Sequence, residues 1–227
     1  METLLKLTTI MDNQMKIGII DYGIGNLGSV YEALNELGVT SCLVNRPSEM
    51  HTFDKLVLPG VGGFKSCKAT LDDFGWTEAI QEEVLGFNKP ILGICLGMQL
   101  LADFGAEGVA KDEFTKGLGL IPGKVVSLKS LGCKERVPHV GWDDVTSSVS
   151  SHYLMSGIPD GTDFYFVHSY AFIPDNLDVI SASCYYGGVD ITAAVSQKNI
   201  WGTQFHPEKS SKAGYKLLQN FIDGNQC

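Results

Sequence analysis

Apolar residues in the first half of the chain recur in a pattern that predicts alternating strands and helices. Residues 15–21 form an apolar run that ends in a glycine-rich turn, which is typical of a buried strand. A helix is predicted next, with Asn26 as its N-cap and Gly38 as its stop. Further strands are predicted at about 41–44, 56–58 and 90–94, alternating with helical segments at 64–86 and 96–104. This alternation indicates a parallel sheet with helices on both faces.

The second half of the chain has a different pattern of short β-prone runs, which lie close together. They are at 121–128, 163–168, 179–185, 191–195 and 200–205. Because the intervals between them are short, some of these strands are expected to be antiparallel, and residues 209–222 are predicted to form a terminal helix. The fold class expected is therefore α/β, with a mostly parallel central sheet flanked by helices and an antiparallel C-terminal portion. Residues 15–227 are interpreted as one domain, and residues 1–14 as a disordered N-terminal extension.

Composition narrows the range of functions. The formal net charge is −9, which disfavours nucleic-acid and anionic membrane surfaces, and no run approaches the roughly 20 apolar residues of a membrane span. The 6 cysteines include no CxxC pair and the 5 histidines are scattered, so no metal site or other cofactor is proposed. Widely spaced cysteines in a chain of 227 residues favour reduced thiols and a cytoplasmic protein.

The segment Gly23–Gly28 matches the G-x-G-x-x-G pattern of dinucleotide-binding proteins. It stands between a predicted strand and a predicted helix, as that pattern requires. However, the acidic residue that holds the cofactor ribose is missing, because residues 44–47 read Val-Asn-Arg-Pro at that place. The alternatives to NAD or FAD binding are a tight turn that allows close packing and a surface that faces a partner.

The segment Gly93–Gly97 is a cysteine version of the G-x-S-x-G nucleophile elbow. Its central residue, Cys95, stands where an apolar strand turns into a helix. At such a position the helix dipole and unpaired backbone amides favour the thiolate. The alternative for Cys95 is a buried core cysteine, which is common in proteins of this kind.

A base for this nucleophile is offered by His206, which is followed two residues later by Glu208. In an extended chain these two side chains project to the same side, so the carboxylate can orient the imidazole. The chain order Cys, His, Glu differs from the nucleophile, acid, histidine order of the α/β-hydrolases, which disfavours that class.

A second glycine-rich turn, Leu58–Gly63, follows another predicted strand. If that strand lies beside the strand of Cys95, its amides and the amide of Leu96 can stabilise an oxyanion. Without the other two features, an ordinary loop would be the preferred interpretation.

Together these features resemble the class I, or triad-type, glutamine amidotransferases, and the resemblance spans nearly the whole chain from Met15. Within that family, six segments are similar to those of the glutaminase subunits of imidazole glycerol phosphate synthase. They are Asp21–Asn26, Leu58–Gly62, Gly93–Gln99, Pro138–Trp142, Tyr165–Tyr170 and Gln204–Ser210. Two features depart from the pattern: the long leader before Met15, and Asp143, where the family commonly has Asn.

The resemblance implies that glutamine is hydrolysed by a Cys95–His206–Glu208 triad, with no cofactor and no metal. It also implies oxyanion-stabilising residues and residues that bind the ends of glutamine. The former are Gly60, Val61, Gly62 and Leu96, and the latter are Gln99, Glu107, Ser169 and Tyr170.

The resemblance further implies a heterodimer in which ammonia passes through a channel to a (βα)₈-barrel cyclase subunit. That partner makes imidazole glycerol phosphate and an aminoimidazole carboxamide ribonucleotide in histidine biosynthesis. The expected docking face comprises residues 22–26, Trp142, His168 and Lys209. Two alternatives stay open: a paralogous glutaminase that supplies ammonia for amidines on surface-polysaccharide sugars, and a catalytically silent scaffold with the same fold.

Overall fold

A computed structural model describes residues 15–148 and 153–224. The expected extension, residues 1–14, lies outside these ranges. The first half contains β1 (Lys16–Ile20), α1 (Leu27–Glu36), β2 (Thr40–Val44), β3 (Lys55–Gly60), α2 (Phe64–Asp73), α3 (Trp76–Gln81), β4 (Ile91–Cys95) and α4 (Leu96–Leu100). The second half contains β5 (Phe104–Gly105), β6 (Thr115–Lys116), β7 (Gly123–Ser127), β8 (His139–Ser147), β9 (Thr162–His168), β10 (Tyr170–Pro174), β11 (Ile180–Tyr186), β12 (Val189–Gln197), β13 (Ile200–Thr203) and α5 (Ser211–Asp223).

The central sheet has 9 strands in the order β2-β1-β3-β4-β13-β12-β11-β8-β9. Strands β2, β1, β3, β4 and β13 pair in parallel, whereas all pairs from β13 to β9 are antiparallel. The α/β class, with a parallel part and an antiparallel C-terminal part, is therefore confirmed. Because the parallel strands share one direction, the loops after β1, β3, β4 and β13 meet at one edge of the sheet.

A second sheet of 4 strands, ordered β10-β7-β5-β6, was not predicted as a separate layer. Two of its strands, β5 and β6, have 2 residues each and give no hydrophobic period to read. The long strand β8 was also missed, because its positions are mostly exposed or half-buried and it contains no apolar run.

The helix expected at 64–86 is wrong as a single element. It divides into α2, α3 and one π-helical turn, with Gly75 between the two helices at φ +73°. That left-handed backbone conformation cannot occur inside an α-helix, which is why the apolar spacing alone was misleading. The helix expected at 96–104 is shorter, since α4 ends at Leu100.

Buried side chains fill both faces of the parallel strands. On one face, residues such as Ile19, Val57 and Leu92 pack against α1 and α5. On the other face, Leu58 and Ile91 pack against α2, α3 and α4. Helices thus cover both faces of the parallel strands, and polar side chains can lie at the uncovered carboxyl edge of the sheet.

Within residues 15–148 and 153–224, the structure also shows the state of the cysteines, the length of the apolar helices and the grouping of side chains that could bind a metal. Cys42, Cys67, Cys95, Cys133 and Cys184 are free thiols, and only Cys42 is exposed. In these ranges no helix is long and apolar enough to cross a membrane. The same residues contain no group of three or more His, Cys, Asp or Glu side chains that could hold a metal ion.

Candidate active site

Cys95 lies at the sharp junction of β4 and α4, with φ 55° and ψ −111°. Two glycines make this turn possible. A Cβ on Gly97 would overlap the Leu58 carbonyl oxygen, and one on Gly93 would lie 2.7 Å from the carbonyl carbon of Gly97. The backbone is therefore held in a conformation that non-glycine residues rarely adopt, and this strain is typical of nucleophile elbows.

The glycine-rich turn after β3 lies beside this elbow. Strands β3 and β4 are neighbours, and Gly60 is in register with Cys95. A Cβ on Gly60 would lie 2.7 Å from the backbone nitrogen of Gly97, so this residue packs under the elbow. Val61, Gly62 and Leu96 all border the cavity in front of Cys95.

His206 and Glu208 occupy the turn after β13. The Nδ1 atom of His206 is 2.8 Å from Oε1 of Glu208, and both side chains are buried. The turn is held by Ser210, whose hydroxyl donates to the His206 carbonyl oxygen at 2.6 Å and accepts from the Tyr165 amide at 3.0 Å. The histidine is therefore fixed by its side-chain partner and by its backbone.

The electrostatics of His206 favour its protonated form. Burial lowers the pKa of the imidazole, but the interactions with Cys95 and Glu208 outweigh it and raise the pKa to about 9. The Nε2 atom is buried and has no hydrogen-bond partner among the described residues. A buried imidazolium at this position can donate a proton to a group that leaves beside the Cys95 sulfur.

A cavity of about 280 Å³ lies in front of Cys95 and His206. This volume is just below the range of about 300–1,000 Å³ that holds drug-sized ligands, so it suits a small metabolite. Most of the predicted catalytic and substrate-binding residues line this cavity, whereas Gly60 and Glu208 do not. The lining residues are Val61, Gly62, Cys95, Leu96, Gln99, Glu107, Pro138, Val167, His168, Ser169, Tyr170 and His206.

Two polar side chains expected to bind substrate also make bonds within the protein. The amide nitrogen of Gln99 donates to the Tyr170 carbonyl oxygen at 3.0 Å and to Oε1 of Gln204 at 2.9 Å. Glu107 accepts from the backbone amide of Phe64 at 2.8 Å, at the start of α2. Burial raises the pKa of Glu107, although this hydrogen bond opposes the shift.

The sequence does not predict three contacts near the triad. Gln204 donates to Sγ of Cys95 at 3.8 Å, and this thiol donates to the Val167 carbonyl oxygen at 3.7 Å. The side-chain nitrogen of Asn26 is 3.4 Å from Oε1 of Glu208. Gln204 and Asn26 belong to the motifs quoted above, but only the folded chain shows which atoms they contact.

The docking face expected at the carboxyl edge is partly wrong. Tyr22 and His168 are buried, so neither offers a surface to a partner. Trp142 is 51% exposed, and its indole packs edge-to-face on Tyr165 at 6.0 Å. The ammonium of Lys209 also lies 6.0 Å from the Tyr165 ring, so these three side chains form one exposed aromatic and basic patch.

Comparisons with known proteins agree with this arrangement. The sequence model of the family "Glutamine amidotransferase class-I" matches residues 18–224. The chain is 45% identical over 212 residues to imidazole glycerol phosphate synthase subunit HisH 1 of Prochlorococcus marinus, covering 92% of this chain and 97% of that protein. It is 41% identical over 213 residues to subunit HisH of Pelagibacter ubique, covering 92% and 100%.

Among solved structures, the fold is similar to that of a chain in the structure of PurLQS from Thermotoga maritima. The TM-score is 0.70 at 18% identity, covering 92% of this chain and 98% of that chain. The family expected from the six segments is thus confirmed by full-length sequence matches. The chain belongs to the class I glutamine amidotransferases and, within them, to the HisH subunits of imidazole glycerol phosphate synthase.

Proposed function

We propose that this glutaminase subunit hydrolyses glutamine to glutamate and ammonia with Cys95 as nucleophile, His206 as acid and base, and Glu208 as the group that orients His206. The observation that carries the proposal is the buried His206–Glu208 pair, 2.8 Å apart, at the same cavity as the elbow cysteine. A nucleophile, a base and an orienting carboxylate in this order are sufficient for acyl transfer.

In the first half of the reaction, the Cys95 thiolate attacks the side-chain carboxamide carbon of glutamine. The resulting oxyanion is stabilised by backbone amides of the Val61–Gly62 turn and of Leu96, which border the cavity. The His206 imidazolium then donates its proton to the departing nitrogen. Ammonia leaves and a thioester forms on Cys95.

In the second half, the neutral His206 accepts a proton from water, and the hydroxide attacks the thioester carbon. The thiolate leaves, glutamate is released, and the imidazolium is restored. Glu208 holds the Nδ1–H tautomer throughout, and its charge stabilises the imidazolium. The polar side chains of Gln99, Glu107 and Ser169 are proposed to bind the amino-acid end of glutamine.

The ammonia is proposed to pass to a (βα)₈-barrel cyclase subunit that makes imidazole glycerol phosphate. The relatives are named as subunits of that synthase, which supports a partner subunit here. Ammonia is protonated in bulk water, so direct transfer between subunits preserves the reactive form. The exposed patch of Trp142, Tyr165 and Lys209 is proposed to lie within the docking face, because it borders the carboxyl edge of the sheet.

The chemical step is tested by glutamate release from glutamine, with the purified chain alone and with the cyclase subunit of the same organism. Cys95→Ala is expected to lower the rate by about 10⁴-fold or more, since it removes the nucleophile. Cys42→Ala is the matched control, because Cys42 is an exposed thiol on β2 and its loss is expected to leave the rate unchanged. Equal rates for Cys95→Ala and the wild type would overturn the proposal.

The acceptor is tested separately by complementing a histidine auxotroph that lacks its own glutaminase subunit. Growth with the wild-type gene, and none with Cys95→Ala, is the expected result. If growth is not rescued but a sugar-amidating synthase activates glutamate release, the chain is the polysaccharide paralogue instead. If no Cys95-dependent glutamate release occurs under any condition, the chain is a scaffold.

A further inference from the structure

A chain of hydrogen bonds runs behind the cavity wall from Tyr170 to Asp143. Nδ1 of His168 is 2.8 Å from the Tyr170 carbonyl oxygen, and Nε2 of His168 is 3.0 Å from Nδ1 of His139. At the far end, Nε2 of His139 is 2.5 Å from Oδ2 of Asp143. None of these three side chains belongs to the triad, and the proposed mechanism does not use them.

Counting protons along this chain gives an unusual result. A carbonyl oxygen only accepts, so Nδ1 of His168 must carry a proton. The contact between His168 and His139 needs a second proton, and the contact between His139 and the Asp143 carboxylate needs a third. Two neutral imidazoles supply only two protons. When all three contacts are made, the hydrogen-bond chain therefore holds one proton more than two neutral imidazoles and a carboxylate provide.

The extra proton belongs to His139 and Asp143 rather than to His168. Burial lowers the pKa of His168 to about 3, although its bond to Tyr170 opposes the shift, so His168 is neutral. His139, in contrast, faces a carboxylate and lies between two rings. Its centroid is 3.9 Å from the stacked Tyr186 ring and 4.8 Å from the Phe166 ring, and such faces stabilise an imidazolium.

We propose that Asp143 and His139 are positioning residues that hold the cavity wall in place by sharing one proton. The wall consists of residues 167–170, of which His168, Ser169 and Tyr170 line the cavity and the Val167 carbonyl accepts from Cys95. When the proton is bound, all three contacts are made. When it is lost, two lone pairs face each other at one of the contacts, and the wall loses a hydrogen bond.

This role depends on aspartate at position 143. An asparagine there would donate its own amide proton to Nε2 of His139, and the chain would be complete without any additional proton. This protein has a titratable group at that place instead. The carboxylate makes the wall sensitive to pH in a way that an asparagine would not.

The direction of the pH effect follows from the surroundings of the pair. Burial lowers the pKa of His139, and Asp143 opposes the shift, so the proton leaves as pH rises through a range below the ordinary value for histidine. The other titratable or charged groups near the pair are Cys133, Glu135, Arg136, Asp144, Cys184 and Tyr186.

The first test uses ¹⁵N NMR of histidine-labelled protein and does not depend on any activity. At a pH below the range in which this proton is lost, we expect an imidazolium spectrum for His139 and a neutral Nδ1–H tautomer for His168. In Asp143→Asn, His139 is expected to be a neutral Nδ1–H tautomer at the same pH. The same ionisation of His139 in both proteins, or a neutral His139 in the wild type throughout, would overturn the proposal.

The second test rests on the proposed function and measures KM for glutamine against pH. As the proton is lost, KM of the wild type is expected to rise about fivefold, which corresponds to the loss of one hydrogen bond of about 1 kcal/mol. The pH dependence of kcat is expected to follow the ionisation of the triad instead. Asp143→Asn is expected to remove this rise.

The matched control is Asp144→Asn, which removes the same charge from an exposed neighbour on β8 and should keep the rise. A rise that persists in Asp143→Asn contradicts the positioning role. An absence of glutaminase activity would instead contradict the proposed function, and the NMR result would still decide the proton count.

Discussion

The two sides of the active site are held in place by different means. On the nucleophile side, Cys95 is fixed by backbone packing, and its thiol makes no hydrogen bond shorter than 3.7 Å among the described residues. On the histidine side, the imidazole of His206 donates to Glu208 at 2.8 Å, and its backbone carbonyl accepts from the Ser210 hydroxyl at 2.6 Å. The nucleophile side depends on glycines that allow the backbone to approach closely, and the histidine side depends on polar contacts within residues 206–210.

This difference predicts how each side responds to substitution. The backbone packs closely at these glycines in the folded protein. Substitutions on the nucleophile side should therefore lower stability and activity together. Hydrogen bonds around a buried imidazole mainly set its pKa and orientation, so damage to the histidine side should lower activity more than stability. Four substitutions test these expectations.

The largest effect is expected from Gly97→Ala on the nucleophile side. The added Cβ would overlap the Leu58 carbonyl oxygen, which belongs to buried strand β3 and cannot move away. We expect the free energy of unfolding in urea to fall by about 4 kcal/mol or more.

The matched control is Gly28→Ala in α1, where the new Cβ meets no atom within 4 Å. We expect this variant to be unchanged or stabilised by up to about 1 kcal/mol, because alanine favours the helix. If both variants had the same stability, the close approach at Gly97 would not be what fixes the elbow.

The next effect is expected from Glu208→Gln on the histidine side. Glu208 helps raise the pKa of His206 to about 9, so the imidazolium is present below that pH and is lost as pH rises through it. Without the carboxylate charge the pKa falls. We therefore expect the alkaline limb of kcat/KM to move to lower pH, and the rate at neutral pH to fall by about 10³-fold.

The readouts for Glu208→Gln are a pH–rate profile and a urea titration, with Glu78→Gln on α3 as the control because its carboxylate is exposed. Stability should change much less than activity, since glutamine keeps the size of the side chain. An alkaline limb that stays in place would show that Glu208 does not set the pKa of His206.

The same difference explains how much of the site could be predicted from the sequence. Gly93 and Gly97 lie within two residues of Cys95, so the elbow was evident from a pentapeptide. Strand β3 lies beside β4, as the predicted oxyanion role of the turn after β3 requires. The pair His206 and Glu208 was evident for the same reason. Asn26 is the N-cap of α1, as predicted, but its side chain makes no capping hydrogen bond and instead contacts Glu208, 182 residues away.

The strand predicted at 163–168 is β9, but the side-chain contacts behind the wall of residues 167–170 were not predicted. Strand β8 has few buried positions, and in addition to the backbone ladder between β8 and β9 the side chains of His139 and His168 meet. His168 was expected on a docking surface because it was assigned to a loop at the carboxyl edge of the sheet, yet it is the last residue of β9 and is buried. Periodicity reports which face of an element is apolar, but it does not report which polar groups meet.

A smaller effect is expected from Ser210→Ala. Its hydroxyl joins the Tyr165 amide of β9 to the His206 carbonyl, and the residue is buried. Without it the Tyr165 amide loses its partner, which should cost about 1 kcal/mol of stability, and the turn that carries His206 is released, which should lower kcat/KM about thirtyfold, or about 2 kcal/mol. Ser130→Ala is the control, because its hydroxyl bonds to the Ser127 carbonyl at 2.7 Å in an exposed turn. Equal losses for the two serines would mean that the bridge at Ser210 does not position His206.

The smallest effect is expected from Asn26→Ala, which tests how far the histidine side extends. The amide of Asn26 reaches Glu208 over 3.4 Å and is itself held by Ser29 at 3.2 Å, so its loss should lower kcat/KM only about threefold. Asn26→Asp should lower it more, because a second carboxylate would repel Glu208 and disturb the pair with His206. This order would assign the G-x-G-x-x-G turn a role in supporting the triad. An Asp variant as active as wild type would leave the turn with a role in packing alone, since a Cβ on Gly25 would lie 3.4 Å from Cβ of Pro59.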